Sequence, residues 1–238
     1  MRAFANYKIS PLGDQGVLIS WDQLPSDALL EHLLKQKAKL VAALDCEVVH
    51  AYNEILIKGS PETITEGIIR KLLQKEEKIE VLQNKLYKIP VCYGGEYGED
   101  LRAFAKAKHC TPEDIIKLHS QKSYRLYFMG FLPGFLYLEG LDKRLHHPRK
   151  ATPSLHMTPG SVAIGGSQTG IYPQESPGGW HCIGRTPITL FDVSAREPSP
   201  FKAGDMIQFM AIEAAEFSDI SKEVKSGTYQ LKATSLDV

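Results

Sequence analysis

Apolar residues recur in two rhythms along this chain, and the change of rhythm marks its organisation. In the first part, "YKIS" and "GVLISW" alternate like two short strands joined by a turn at Pro11–Gly13. After Pro25, residues Leu29, Leu30, Leu33, Leu34, Leu40, Val41 and Leu44 share one face at helical spacing and predict a helix. "EVVHAY" and "EILIK" read as strands around Asn53. Ser60-Pro61 predicts the start of a second helix, with serine as cap and proline in the first helical position. Its apolar face is Ile64, Ile68, Ile69, Leu72 and Leu73, and the polar run "QKEEKIE" closes it. A boundary near Asn84 divides the chain into an N-terminal α/β domain, residues 1–84, and a second domain, residues 85–238.

The second part opens with a strand, "LYKIPV", and two helices, "GEDLRAFAKAKH" and "TPEDIIKLHS". Thr111 caps the latter, with Pro112 next and acids in its first turn. Beyond Ser123 the helical period disappears. "YRLYF", "SVAIGG", "TGIY", "HCIG", "ITLFD" and "MIQFMAI" are short strand patterns separated by Gly/Pro turns, which predicts a closed or nearly closed β-barrel. "EAAEFSDISKEV" reads as a late helix and "GTYQLK" as a last strand.

Charge and composition narrow the function. Lys+Arg and Asp+Glu are both 28, so the formal net charge is zero, and no polybasic tract offers nucleic acid or anionic membrane a footing. The most apolar run, "LYFMGFLPGFLYL", is too short for a bilayer span and is broken by Gly130, Pro133 and Gly134. "MRAFANYKIS" lacks the apolar core of a secretion signal. The four cysteines are dispersed without a CxxC pair, which favours reduced thiols in a cytoplasmic protein over a zinc site. No Walker A loop, dinucleotide fingerprint, nucleophile elbow or HExxH motif is present.

What remains is a constellation. "GGSQTGIYPQESPGGWHCIGRTP", Gly165–Pro187, holds six glycines and three prolines in 23 residues, together with Gln168, Thr169, Tyr172, Ser176, Trp180 and Arg185. Gln168 and Thr169 are expected at a strand edge, where amide and hydroxyl face a ligand. Gly178 and Gly179 are expected to reach positive φ and form an anion nest. Trp180 offers a flat wall with one donor. "GFLPGFLYL" places Phe131, Phe135 and Tyr137 around a turn, as an apolar wall or partner surface. "HHPRKATP" stiffens Arg149 beside His147, and a stiff arginine suits a bidentate clamp on carboxylate or phosphate. The same residue types also suit a barrel hairpin with structural glycines, a core-forming loop and a surface ion pair.

The string "QTGIYPQESPGGWHCIGRTPITLFD" resembles the signature of the allophanate hydrolase subunit 1 family, which includes the B subunits of bacterial 5-oxoprolinase and the kinase A inhibitor KipI. The resemblance extends through "LGDQGVLISW", "IPVCYGGEYGEDL", "LHS", "GFLPGFLYL", "HPRKATP" and "TPGSVAIGG". It implies an α+β chain, with a small N-terminal α/β domain followed by a C-terminal cyclophilin-like β-barrel. It also implies a cytoplasmic complex with a C-type (allophanate hydrolase subunit 2-like) protein and an A-type protein. Such complexes open 5-oxo-L-proline to L-glutamate with ATP and its Mg2+. By this resemblance Arg149, Arg185 and Gln168 are the expected catalytic contacts. Phe131, Phe135, His147, Thr169, Tyr172, Ser176, Gly178, Gly179 and Trp180 are the expected substrate wall. Where the family often carries a second arginine, this chain has Ser154. A KipI-like regulator of a histidine kinase is the alternative that the resemblance implies.

Overall fold

Strand β1 (Tyr7–Pro11) folds back antiparallel onto β2 (Gly16–Trp21), with Tyr7 opposite Trp21 and Pro11 opposite Val17. Ser26 then caps helix α1 (Asp27–Ala43) by accepting the Leu29 N–H at 3.2 Å. Strands β3 (Val48–His50) and β4 (Glu54–Lys58) complete a four-stranded sheet in the order β1-β2-β4-β3. Val17, Ile19, Trp21, Ile55 and Ile57 bury one face of that sheet together with Leu29, Leu33 and Leu40 of α1. The α1 stripe differs from the expected one in two places: Val41 is exposed and Gln36 is buried.

The computed structural model describes residues 4–75 and 83–236. They fall into two units, one within residues 1–82 and the other within 83–238. Helix α2 spans Glu66–Gln74, so Ser60-Pro61 does not start it. The Ser60 carbonyl instead accepts the N–H groups of Thr63 and Ile64, which makes an isolated turn. Thr65 is extended at ψ 155° and breaks that turn from the helix. Within α2, Ile69 and Leu73 are buried and Ile68 faces solvent. Most of the polar run expected to close this helix lies outside the described residues.

The second unit begins with β5 (Lys85–Tyr93), α3 (Leu101–Ala107) and α4 (Pro112–Ser120). Thr111 and Asp114 form a complete capping box at the start of α4. Strands β6 (Ser123–Met129), β7 (Leu136–Glu139), β8 (Ser154–Met157), β9 (Ser161–Gly165), β10 (Gln168–Ile171), β11 (Ser176–Gly178) and β12 (His181–Arg185) follow. Then come β13 (Met206–Ile212), α5 (Ala214–Lys225) and β14 (Ala233–Ser235). The large sheet runs β12-β9-β10-β7-β6-β13-β5, and β12 pairs with β5 through Gly184–Tyr93 and Arg185–Cys92. These pairings close a seven-stranded barrel, in agreement with the α+β and barrel expectation. Strand β14 joins the other half of β5 at Lys85–Tyr87, and β8 with β11 form a separate two-stranded ribbon. Ile89, Val91, Leu126, Leu136, Leu138, Val162, Ile164, Ile171, Ile183, Ile207 and Phe209 fill the interior without exposure.

Two strand expectations change. "ITLFD" buries Ile188 and Leu190 but joins no ladder. "GTYQLK" precedes the last strand rather than forming it. The N–H groups of Thr228 and Tyr229 bond the Glu223 carbonyl and finish α5, so pairing starts at Ala233.

Candidate functional site

Alternation along β9 and β10 puts Val162, Ile164, Thr169 and Ile171 inside the barrel and Ala163, Gly165 and Gly170 on its outer face. Trp180 covers that outer face. A Cβ on Gly165 would lie 2.5 Å from Trp180 Cδ1, and one on Gly170 would lie 3.0 Å from Trp180 Cζ3. The indole therefore reaches across both strands only because neither position carries a side chain. Phe135 meets Trp180 edge-on at 5.5 Å and Tyr172 at 4.9 Å, and Tyr137 lies 6.0 Å from Trp180. These rings form a packed aromatic shelf against the outside of the barrel, with Phe135, Tyr172 and Trp180 almost wholly covered.

Arg149 stands over this shelf. Its guanidinium carbon is 5.8 Å from the Trp180 ring centre, in cation–π range, and the side chain is exposed. Its positive charge pulls down the hydroxyl pKa values of Tyr137 and Tyr172, while burial, the larger effect, raises both and pushes Tyr172 up to about 12. The neighbouring Lys150 fixes the loop. Its backbone N–H donates to the Gly179 carbonyl at 2.7 Å, and its Nζ meets Asp100 Oδ2 at 2.6 Å and Ser154 Oγ at 2.9 Å. Asp100 also accepts the Cys182 N–H at 2.7 Å, so one carboxylate joins the Arg149 loop to β12. Lys150 and Asp100 were not among the residues expected at the site. Their signal was the lysine adjoining Arg149 and an aspartate just before a helix whose carboxylate does not cap it.

The other expected residues divide. Gly178 and Gly179 have no positive φ, so the anion nest is absent. Gly178 instead leaves room for Met157 and for the Tyr172 hydroxyl, which bonds the Trp180 backbone. Ser176 is buried opposite Met157 in the β8–β11 ribbon. Phe135 is in the shelf. Phe131, at φ 67° and 65% exposed, extends it outward, 5.8 Å from Phe135. Gln168 and Thr169 sit on a central strand, not at an edge. The Gln168 amide donates to Glu139 Oε1 at 2.9 Å, and burial raises the Glu139 pKa.

Thr169 points inward. Its Oγ1 donates to the Ala163 carbonyl and therefore accepts from His119 Nε2 at 2.8 Å. His119 Nδ1 in turn accepts the Tyr93 hydroxyl at 2.8 Å. This buried chain has no access to the outer face, and desolvation lowers the His119 pKa to about 3. His147 lies against Phe104 and His181, at 5.4 and 5.0 Å. Arg185 donates to the Glu96 carbonyl at 2.8 Å and lies 5.6 Å over Tyr97. The small cavity that it lines with Met157 and Cys182 does not include Arg149, so within this chain the two guanidinium groups occupy separate places.

One exposed cation seated on a packed aromatic cluster suits a small anion. Among the described residues, no three His, Cys, Asp or Glu side chains group as ligands for an ion.

The model of the carboxyltransferase domain, subdomain C and D, matches residues 7–201. The chain is 44% identical over 166 residues to the B subunit of 5-oxoprolinase from Haemophilus influenzae, covering 69% of this chain and 78% of that one. It is 40% identical over 162 residues to the B subunit of 5-oxoprolinase from Bacillus subtilis, covering 68% and 67%. The crystal structure of TTHA0988 superposes with TM-score 0.75 at 29% identity over 84% of this chain, which spans only 41% of that longer one. The chain belongs to the carboxyltransferase subdomain C and D family, alongside the B subunits of 5-oxoprolinases.

Proposed function

We propose that this chain is the B subunit of an ATP-dependent 5-oxoprolinase that opens 5-oxo-L-proline to L-glutamate, and that it works with A-type and C-type partner proteins in the cytoplasm. The observation that carries the reading is 40 to 44% identity to proteins named as the B subunit of 5-oxoprolinase. The exposed guanidinium of Arg149 supports it, because 5-oxoproline bears one carboxylate.

In this reading Arg149 clamps the substrate carboxylate, the buried Trp180 and Phe135 hold that arginine's seat, and the exposed Phe131 is the apolar surface nearby. A lactam is a poor electrophile; ATP, with its Mg2+, would supply the phosphoryl group that makes the lactam carbonyl oxygen a leaving group. Arg149 fits an anionic contact, and the described residues supply no cluster for the magnesium. In this reading the chain holds and orients the substrate, beside a site that a partner completes. Arg185 is assigned no step, because it lines a separate small cavity away from Arg149. Thr169 is assigned none because it is sealed in the barrel.

The test is co-expression with the two partner types, followed by assay of ATP-dependent glutamate release with each component omitted in turn. Loss of turnover on omitting this chain supports the reading. Undiminished turnover without it removes the reading.

A further inference from the structure

We propose that the N-terminal unit carries a binding site for a small aromatic carboxylate, in a cavity bounded by the β1–β2 ribbon and helices α1 and α2. The cavity encloses about 330 Å³, which is within the range of small-molecule sites. Tyr7 and Trp21, opposite one another across β1 and β2, form one wall with ring centres 5.6 Å apart. His32 and Gln36, one helical turn apart on α1, form a second wall. Arg70 and Leu73 of α2 form a third. Phe4 closes one side, with its ring 4.8 Å from His32 and its carbonyl accepting the Trp21 indole N–H at 3.2 Å. Three partly exposed rings, Phe4, Tyr7 and His32, backed by the buried Trp21, favour a planar guest.

The polar groups give the guest its chemistry. Gln36 is 8% exposed, and its Oε1 is buried without a hydrogen-bond partner. Such an oxygen is seldom left unmet in a folded protein, and a turn of the Gln36 side chain toward the cavity that it lines would let an N–H on a guest meet it. The guanidinium carbon of Arg70 lies 5.2 Å over the Tyr7 ring. Glu66 takes its Nε at 2.7 Å, and Tyr7 also bonds the group. Five guanidinium N–H groups leave donors for a carboxylate. Lys35 and Lys39 add positive charge near His32, and burial with these lysines holds that imidazole neutral, its pKa lowered to about 4. Glu66 is the acid bonded to Arg70, and no acidic side chain is among the described residues that line the cavity. The balance therefore favours an anion at the Arg70 end and a neutral ring inside.

The probe is indole-3-acetate, with indole-3-acetamide as its uncharged counterpart, titrated into the full-length chain while the indole N–H resonances of Trp21 and Trp180 are followed separately by NMR. The Trp21 resonance is expected to shift saturably and to do so equally in Arg149→Gln, which excludes the shelf of the second unit as the source. Arg70→Gln, at an exposed position, is expected to weaken the acetate by about two- to fivefold and leave the acetamide unchanged. Gln36→Leu is expected to weaken both. A Trp21 resonance unmoved by millimolar concentrations of either compound, or parent affinity kept in both the Arg70 and the Gln36 variants, means a cavity that holds water only and overturns the proposal.

Discussion

The guanidinium of Arg149 and the indole of Trp180 face one another at 5.8 Å, although 30 positions separate them in the chain. Two structural conditions make this possible. The indole needs a sheet surface without side chains, supplied by Gly165 and Gly170. The arginine needs a loop that cannot swing away, supplied by Lys150 bonded to Gly179, Asp100 and Ser154.

The first condition predicts the effect of one methyl group. Gly165→Ala places a Cβ 2.5 Å from Trp180 Cδ1 and forces the ring off the sheet. The expected cost is about 1–3 kcal/mol, typical of overpacking. Trp180 fluorescence should change, and the urea midpoint of the second unit should fall. A native spectrum at unchanged stability would contradict the proposed seat of the ring.

The second condition predicts coupling. Lys150→Met deprives the partly buried Asp100 carboxylate of its ammonium partner and leaves it the Cys182 N–H. It should destabilise the second unit by about 1–3 kcal/mol. Asp100→Asn should cost less in the Lys150→Met background than alone, so a double-mutant cycle returns a non-zero coupling. Additive effects would mean that the ion pair does not tie the loop to β12.

Inside the barrel, the neutral His119 makes stability depend on pH. Unfolded, its imidazole takes a proton near pH 6.5, at the usual value for the side chain; folded, it does so only at about 3. Between these values the unfolded chain binds more protons, so this contribution is complete above the upper value and is lost as pH falls toward the lower one. The slope is at most about 1.4 kcal/mol per pH unit. Urea unfolding of the second unit, followed by Trp180 in a Trp21→Phe background, should lose stability between pH 7 and 4 more steeply than the same chain carrying His119→Gln. Equal slopes would show that the imidazole is not held neutral.

Much of this architecture was legible because burial writes itself into period and punctuation. Leu29, Leu33 and Leu40 repeat as a helix repeats, and Thr111-Pro112 begins α4 where a capping residue and proline predict. The second helix was misplaced because Ser60-Pro61 is also good turn chemistry, and only the extended Thr65 separates turn from helix. "ITLFD" alternates like a strand, but whether a segment finds a ladder depends on whether the fold lays it beside an unpaired strand side, as it does for β14 and not for this segment. At the site, Arg149 is legible as a residue type suited to a clamp, whereas the burial of Trp180 and Phe135 beneath it is set by the fold. Thr169 was misread because neighbouring strand residues face opposite ways, and the facing is set by pairing with Leu138 and Ile164. The Gly178-Gly179 pair was read as positive-φ backbone, whereas Gly178 is required by the close approach of the Tyr172 hydroxyl. Lys150 and Asp100 lie 50 residues apart in sequence, and only the fold reveals them as partners.

The most direct test of the account is the steady-state rate of ATP-dependent glutamate formation by the three-component assembly carrying Arg149→Gln, compared with Arg144→Gln, an exposed arginine already bonded to Asp142. The predicted result is a loss of about 10- to 100-fold in kcat/KM for 5-oxoproline with Arg149→Gln, from removal of a charged hydrogen bond to the carboxylate. Arg144→Gln should have no effect, and both chains should keep the parent's unfolding midpoint. An assembly with Arg149→Gln that turns over 5-oxoproline as fast as the parent would contradict the claim.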